Sequence, residues 1–178
     1  ILLMEVYRME NNGLEQNVQP KPMSLLSLTI ITGFVGGILW SSVGYFAYAF
    51  HFTEIPPNIV LEPWALGKWK SGWIGSVFSI FVIGLFSILA ALIYYLLLRK
   101  SSSILTGIVY GALLFLLVFF VLNPVFPGME PVKELKRDTI ITSVCLFILY
   151  GTFVGYSISY EYEEEQTRKQ LEGKTSQS

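Results

Sequence analysis

Apolar residues along this chain gather into four long blocks from which charge is absent. Residues 24–50, 71–98, 101–129 and 139–160 contain no Asp, Glu, Lys or Arg. Each block is at least as long as the roughly 20 apolar residues a helix needs to cross a ~30 Å hydrocarbon layer. The pattern predicts an all-α, polytopic integral membrane protein: a four-helix transmembrane bundle over residues 24–160. The expected spans are 24–50, 72–98, 104–122 and 139–160.

Polar stretches divide the rest. Residues 1–23, with Asn11-Asn12-Gly13 and Pro20-Lys21-Pro22, read as a disordered tail. The tail is not expected to be a signal peptide, because Glu5, Glu10 and Glu15 stand where a basic region would be. Ser24 is a suitable N-cap for span one. In the linker 51–70, Pro56-Pro57-Asn58 is a break, and Pro63 is placed to open a short helix that Gly67 ends. Trp64, Trp69 and Trp73 cluster with Lys68 and Lys70 there, the composition of a membrane–water interface. The link between spans two and three, residues 99–103, is short enough to predict an antiparallel hairpin of adjacent helices. Span three is expected to stop at Asn123-Pro124. After Pro131 the pattern predicts one helix over 132–172, about 60 Å long at ~1.5 Å per residue. Glu164 with Arg168 and Glu165 with Lys169 support it at i,i+4, and Gly173 is a natural stop. Residues 161–178 form a polar tail, helical giving way to disorder.

Small residues recur along every span. Gly33, Gly37 and Ser41 mark span one, and Gly84, Ser87 and Ala91 mark span two. Gly107-x-x-x-Gly111 and Gly151-x-x-x-Gly155 mark spans three and four. Between helices in lipid, close backbone approach substitutes for apolar burial. Packing within one chain is the expected use of these stripes, and a homodimer interface the alternative.

Composition narrows the function classes. Charged residues make up 14% of the chain, against about 25% in a soluble domain. The net charge of −1 gives no basic surface for nucleic acid. The spans hold no ionisable side chain besides Cys145 and tyrosines. That argues against a proton relay, a sodium-coupled carboxylate site, a voltage sensor, and proteases that need His/Glu or paired Asp within spans. Cys145, the single cysteine, is expected to be a small buried apolar residue. No Cys/His cluster suggests zinc, so no metal, cofactor or catalytic residue is assigned.

A few positions remain as interface or ligand candidates. His51 and Glu54, three apart at the end of span one, are the best pair of titratable groups. They are read as an interfacial cap of the helix C-terminus in preference to an acid–base pair. Trp40 with Ser41 and Ser42 forms a polar-aromatic patch, expected to be an interhelical hydrogen-bonding point. Tyr45 is expected to line the bundle with Tyr48, and Tyr110 to find a partner when buried. Trp64 and Trp69 are interface anchors. The acidic run 161–165 reads as a solvated helix end, with a docking handle for a basic partner as the alternative.

Arg and Lys on the side of the termini number seven, against five on the other side, which favours both termini in the cytoplasm. The run His51-Phe52-Thr53-Glu54, then Pro57-Asn58 and Pro63-Trp64-Ala65-Leu66-Gly67-Lys68-Trp69-Lys70-Ser71-Gly72, follows a helix ending in Trp40-Ser41-Ser42-Val43-Gly44-Tyr45. With the four-span layout, it resembles the YqhR-like conserved membrane proteins of spore-forming Gram-positive bacteria over about residues 24–160. The resemblance implies a multi-pass protein of the bacterial cell membrane and carries no biochemical activity or site residue with it. The expected function is a non-enzymatic accessory or scaffold, with a small oligomeric transporter or channel as the alternative. A membrane enzyme at the outer interface is the third reading. Expected partners are the lipid bilayer and either another membrane protein or copies of the same chain.

Overall fold

The computed structural model describes residues 23–63, 67, 72–101, 103–126 and 128–175, with side chains as far as 171. Four long helices carry the fold. They are α1 Leu25–Ala49, α2 Trp73–Leu98, α3 Ile104–Leu116 and α4 Arg137–Thr175. All four helical segments are long and apolar enough to cross a membrane, α3 being counted with its continuation to Val125. Residues 1–22 of the expected tail 1–23, and most of the expected short helix from Pro63 to Gly67, lie outside the described residues, as do Trp64 and Trp69.

Local chemistry sets the helix ends. The Ser24 hydroxyl accepts from the Ser27 N–H at 3.2 Å and caps α1. At the other end, the Phe52 N–H returns to the Ala47 carbonyl at 2.8 Å and the His51 N–H to the Tyr48 carbonyl at 3.0 Å. This pair is a Schellman closure, with His51 in the left-handed region at φ 64°. The chain then makes a short 3-10 helix, Pro57–Leu61, opened by its own proline.

The far end of α3 departs from the simple span. It widens into a π-helix, Leu117–Leu122, and then tightens into a 3-10 turn, Asn123–Val125. Pro124 accounts for the change: it has no N–H to return, and its ring crowds the carbonyl four residues earlier. The last helix also differs from the expected 132–172. It begins at Arg137, because residues 132–135 turn back on themselves with Glu134 N–H bonded to the Pro131 carbonyl. Leu135 is thereby buried, and Val132 packs beside it, in a cluster with Phe115, Phe119 and Met129. Gly173 does not stop α4, which runs on to Thr175.

Two close crossings hold the bundle. On the first, α1 meets α2 with Gly33 and Gly37 against Gly84, Ser87 and Ala91. A methyl at Gly33 would sit 2.7 Å from the Ala91 Cβ, and one at Gly37 2.9 Å from the Gly84 Cα. On the second, α3 meets α4, and a methyl at Gly151 would lie 2.5 Å from the Cα of Gly111. The small-residue stripes are therefore used within the chain. A third contact joins α1 to α4, where Gly36 faces the Phe153 and Tyr150 rings. The helices are arranged α2–α1–α4–α3.

The expected hairpin forms, but without close backbone packing between its two helices. Helices α2 and α3 are joined by the turn at 99–103, yet they are not a close-packed pair. Their glycine and serine faces point to α1 and α4. The rings of Tyr94 and Tyr110 lie between them instead, 5.1 Å apart and edge-to-face. The remaining helix faces expose Leu, Ile, Val and Phe to the lipid.

Candidate functional site

The end of the bundle away from the termini is closed by its loops. Phe115, Phe119, Met129 and Leu135 are buried there, with Ile55, Ile59, Phe126 and Val132 packed around them. The irregular stretch after His51 is fastened to the start of α4 by three contacts. The Thr142 hydroxyl donates to the Phe52 carbonyl at 3.2 Å, the Glu54 N–H donates to the Thr139 hydroxyl at 3.1 Å, and the Glu54 carboxylate pairs with the Lys136 ammonium. The carboxylate also accepts from the Lys136 backbone N–H at 3.4 Å. An anion at this position meets the positive end of the α4 dipole. The Lys136 hydrogen bond holds Glu54 below the ordinary glutamate range, and Glu54 raises Lys136 above the ordinary lysine range.

His51 does not join Glu54. Its imidazole is exposed and makes no hydrogen bond or ion pair among the described residues, while its backbone closes α1. The predicted pairing of the two side chains is corrected: the left-handed turn at His51 parts them, and Glu54 is taken by Lys136. Sequence reasoning missed Lys136, Thr139 and Thr142. The available signal was a threonine pair beside a lysine at the start of a span, facing a loop that carries a carboxylate.

In the bundle interior the tyrosines form a hydrogen-bonded core. Tyr150 donates to the Ser87 carbonyl at 2.8 Å and Tyr110 to the Ala90 carbonyl at 2.6 Å, so both phenols bridge to α2. Tyr94 shares a hydrogen bond with Ser159 at 3.1 Å, and the Ser159 hydroxyl donates to the Ser101 carbonyl at 2.8 Å. Tyr110 thus finds the expected partner. The sequence pattern marks Ser159 only as a small residue of span four and Tyr94 only as the end of span two, and does not mark Tyr150, although a phenol inside an apolar span is the signal for such a bridge.

Trp40 packs against this core, and its indole Nε1 is buried without an acceptor among the described residues. Ser41 and Ser42 do not make the expected interhelical bonds. They donate to the carbonyls of Gly37 and Ile38 in their own helix, at 2.6 and 2.7 Å, the usual recourse of serine inside a helix. Tyr45 is half-buried, with its ring near that of Phe46, whereas Tyr48 is exposed. Cys145 is exposed on α4, not buried, because its position faces away from the three neighbouring helices. No group of three or more His, Cys, Asp or Glu side chains gathers among the described residues in a way that could hold a metal ion.

The sequence family fits this architecture. The model of the conserved membrane protein YqhR matches residues 9–173. The chain belongs to the YqhR family of conserved membrane proteins. It is 51% identical over 160 residues to the "Uncharacterized protein YqhR" of Bacillus subtilis (strain 168), a match covering 90% of this chain and 89% of that protein. No solved structure matches. The family match runs past the membrane domain into residues 161–173 of α4, so the resemblance over 24–160 read from the sequence was too short.

Proposed function

We propose that this chain is a non-enzymatic accessory or scaffold of the bacterial cell membrane, with both termini in the cytoplasm, that offers the projecting part of α4 to another membrane or envelope protein. One observation carries the reading. Helix α4 has 39 residues, about 58 Å at ~1.5 Å each, against a hydrocarbon layer of ~30 Å. Its apolar stretch ends at Tyr160, and the helix continues through Glu161, Glu163, Glu164 and Glu165 into water. Ion pairs from Glu164 to Arg168 and from Glu165 to Lys169 stiffen that extension. An acidic helix is held off the anionic cytoplasmic leaflet, so it stands available to a protein partner. The interior supports the same reading: the hydroxyls of Tyr94, Tyr110 and Tyr150 and of Thr29, Ser41, Ser42 and Ser79 are all spent on bonds within the bundle.

In-cell crosslinking from residues 161–171 and from the loop 51–63, read by mass spectrometry, tests the proposal. A specific heterologous adduct from the α4 extension is the expected result. Self-adducts alone, or none, would overturn it and make ion or solute flux in proteoliposomes the next assay.

A further inference from the structure

We infer that the α3–α4 pair holds the ammonium headgroup of an aminophospholipid at the end of the bundle that carries the termini. A shallow notch lies there between the start of α3 and the exposed side of α4. It is lined by Ser103 and Ile104 of the α3 end and by Gly155, Tyr156, Ser159, Tyr160 and Glu163 of α4. The position matches headgroup depth, since the apolar run of α4 ends at Tyr160 and charge begins at Glu161.

The lining chooses the ligand. The Tyr156 and Tyr160 rings stack at 5.9 Å and 24°, and each residue is more than half exposed. Exposed aromatic rings beside a carboxylate attract an ammonium group. Glu163 is the carboxylate of the acidic run that lines the notch: Glu164 is paired with Arg168 and Glu165 with Lys169, whereas Glu163, like Glu161, has no ion pair among the described residues. The side chain of Ser103 makes no capping bond to α3, so its hydroxyl is available to the phosphate of the same headgroup. Ile104 and Leu105, both exposed, continue from the notch along α3 and give the acyl chains an apolar track. An anionic headgroup fits worse, because Glu163 would face it. The nearby cation Arg99 is already engaged, donating to the Tyr95 hydroxyl at 2.7 Å and lying against the Tyr162 ring.

Glu163 belongs to the same α4 extension, but lipid retention is read without any protein partner, so this inference and the partner reading fail separately. The test uses the full chain reconstituted with equal amounts of phosphatidylethanolamine and phosphatidylglycerol, then released gently for native mass spectrometry. Phosphatidylethanolamine should be retained several-fold over phosphatidylglycerol. Glu163→Gln should abolish the preference with unchanged helicity and melting temperature, Glu163→Asp should keep it, and Tyr160→Leu should weaken it. An excess of soluble glycerophosphoethanolamine should not displace the bound lipid. Equal retention, enrichment of phosphatidylglycerol, displacement by the soluble headgroup, or an unaffected Glu163→Gln protein would overturn the assignment.

Discussion

Gly111 of α3 and Gly151 of α4 cross so closely that a methyl group on Gly151 would lie 2.5 Å from both the Cα and the N of Gly111. The obstacle is backbone on both sides, so no rotamer change relieves it. Gly151→Val should therefore force the α3–α4 crossing apart and destabilise the bundle by about 1–3 kcal/mol or more. Gly44→Ala is the control, because its methyl would meet only the Leu146 side chain at 3.6 Å. There the gain in helix propensity, up to about 1 kcal/mol, should dominate. Thermal or denaturant unfolding in detergent measures both. Equal losses at Gly151 and Gly44 would show that the crossing is not tight.

His51 occupies a left-handed backbone position that glycine adopts without penalty. His51→Gly should stabilise the end of α1 by roughly 1 kcal/mol, since it keeps the closure from Phe52 to Ala47 and removes the strain. His51→Ala should give no such gain. If the imidazole served chemistry, His51→Gly would instead abolish the cellular phenotype of the protein. An unaltered phenotype together with a raised melting temperature is the expected outcome.

Much of this fold was legible in the charge-free blocks and the glycine spacing, because lipid leaves a helix few ways to associate. What was not legible depended on direction around a helix axis. The stripes mark a close-packing face on each span without saying which helices meet, and the short turn between α2 and α3 does not show that Tyr94 and Tyr110, and not backbones, fill the space between them. Cys145 lay in an apolar run that gave no hint of which face was bare. The His51 and Glu54 reading failed for a local reason. Spacing by three implies a shared face only while the helix lasts, and the backbone turns left-handed at His51 itself. The π-helix before Pro124 reflects a proline effect that the sequence pattern marks only as a stop.

The Glu54–Lys136 contact sets a pH window for the loop-bearing end of the bundle. Glu54 titrates below its ordinary range in the folded protein, so its contribution is present above that range and is lost as pH falls through the lowered value. Lys136 titrates above its ordinary range, so its contribution is present below that range and is lost as pH rises through the raised value. Between the two, the contact should be constant. Both side chains are solvent-accessible, so the effect is small and screened by salt. Hydrogen exchange at residues 52–55 should rise at both extremes relative to residues buried in α4, after correction for intrinsic rates. Glu54→Gln should erase the acid arm and leave the alkaline arm without its partner. A wild-type profile unchanged by that substitution would remove the ion pair from the account.

Cys145 and Arg168 lie on one helix but in different media. From Cys145 to Arg168 is 23 residues, about 35 Å along α4, more than the ~30 Å hydrocarbon thickness. The exposed Cys145 side chain sits within the apolar stretch, and Arg168 sits on the extension beyond Tyr160. A nitroxide attached to Cys145 in detergent and carried into liposomes should be relaxed by oxygen and shielded from a water-soluble nickel chelate. A nitroxide at Arg168→Cys, in a Cys145→Ser background, should show the reverse. Chelate added only outside intact liposomes of known protein orientation then reports the side on which the extension emerges. If both labels were oxygen-dominated, α4 would lie along the bilayer, and the extension would lose the reach into water on which its role in partner binding depends.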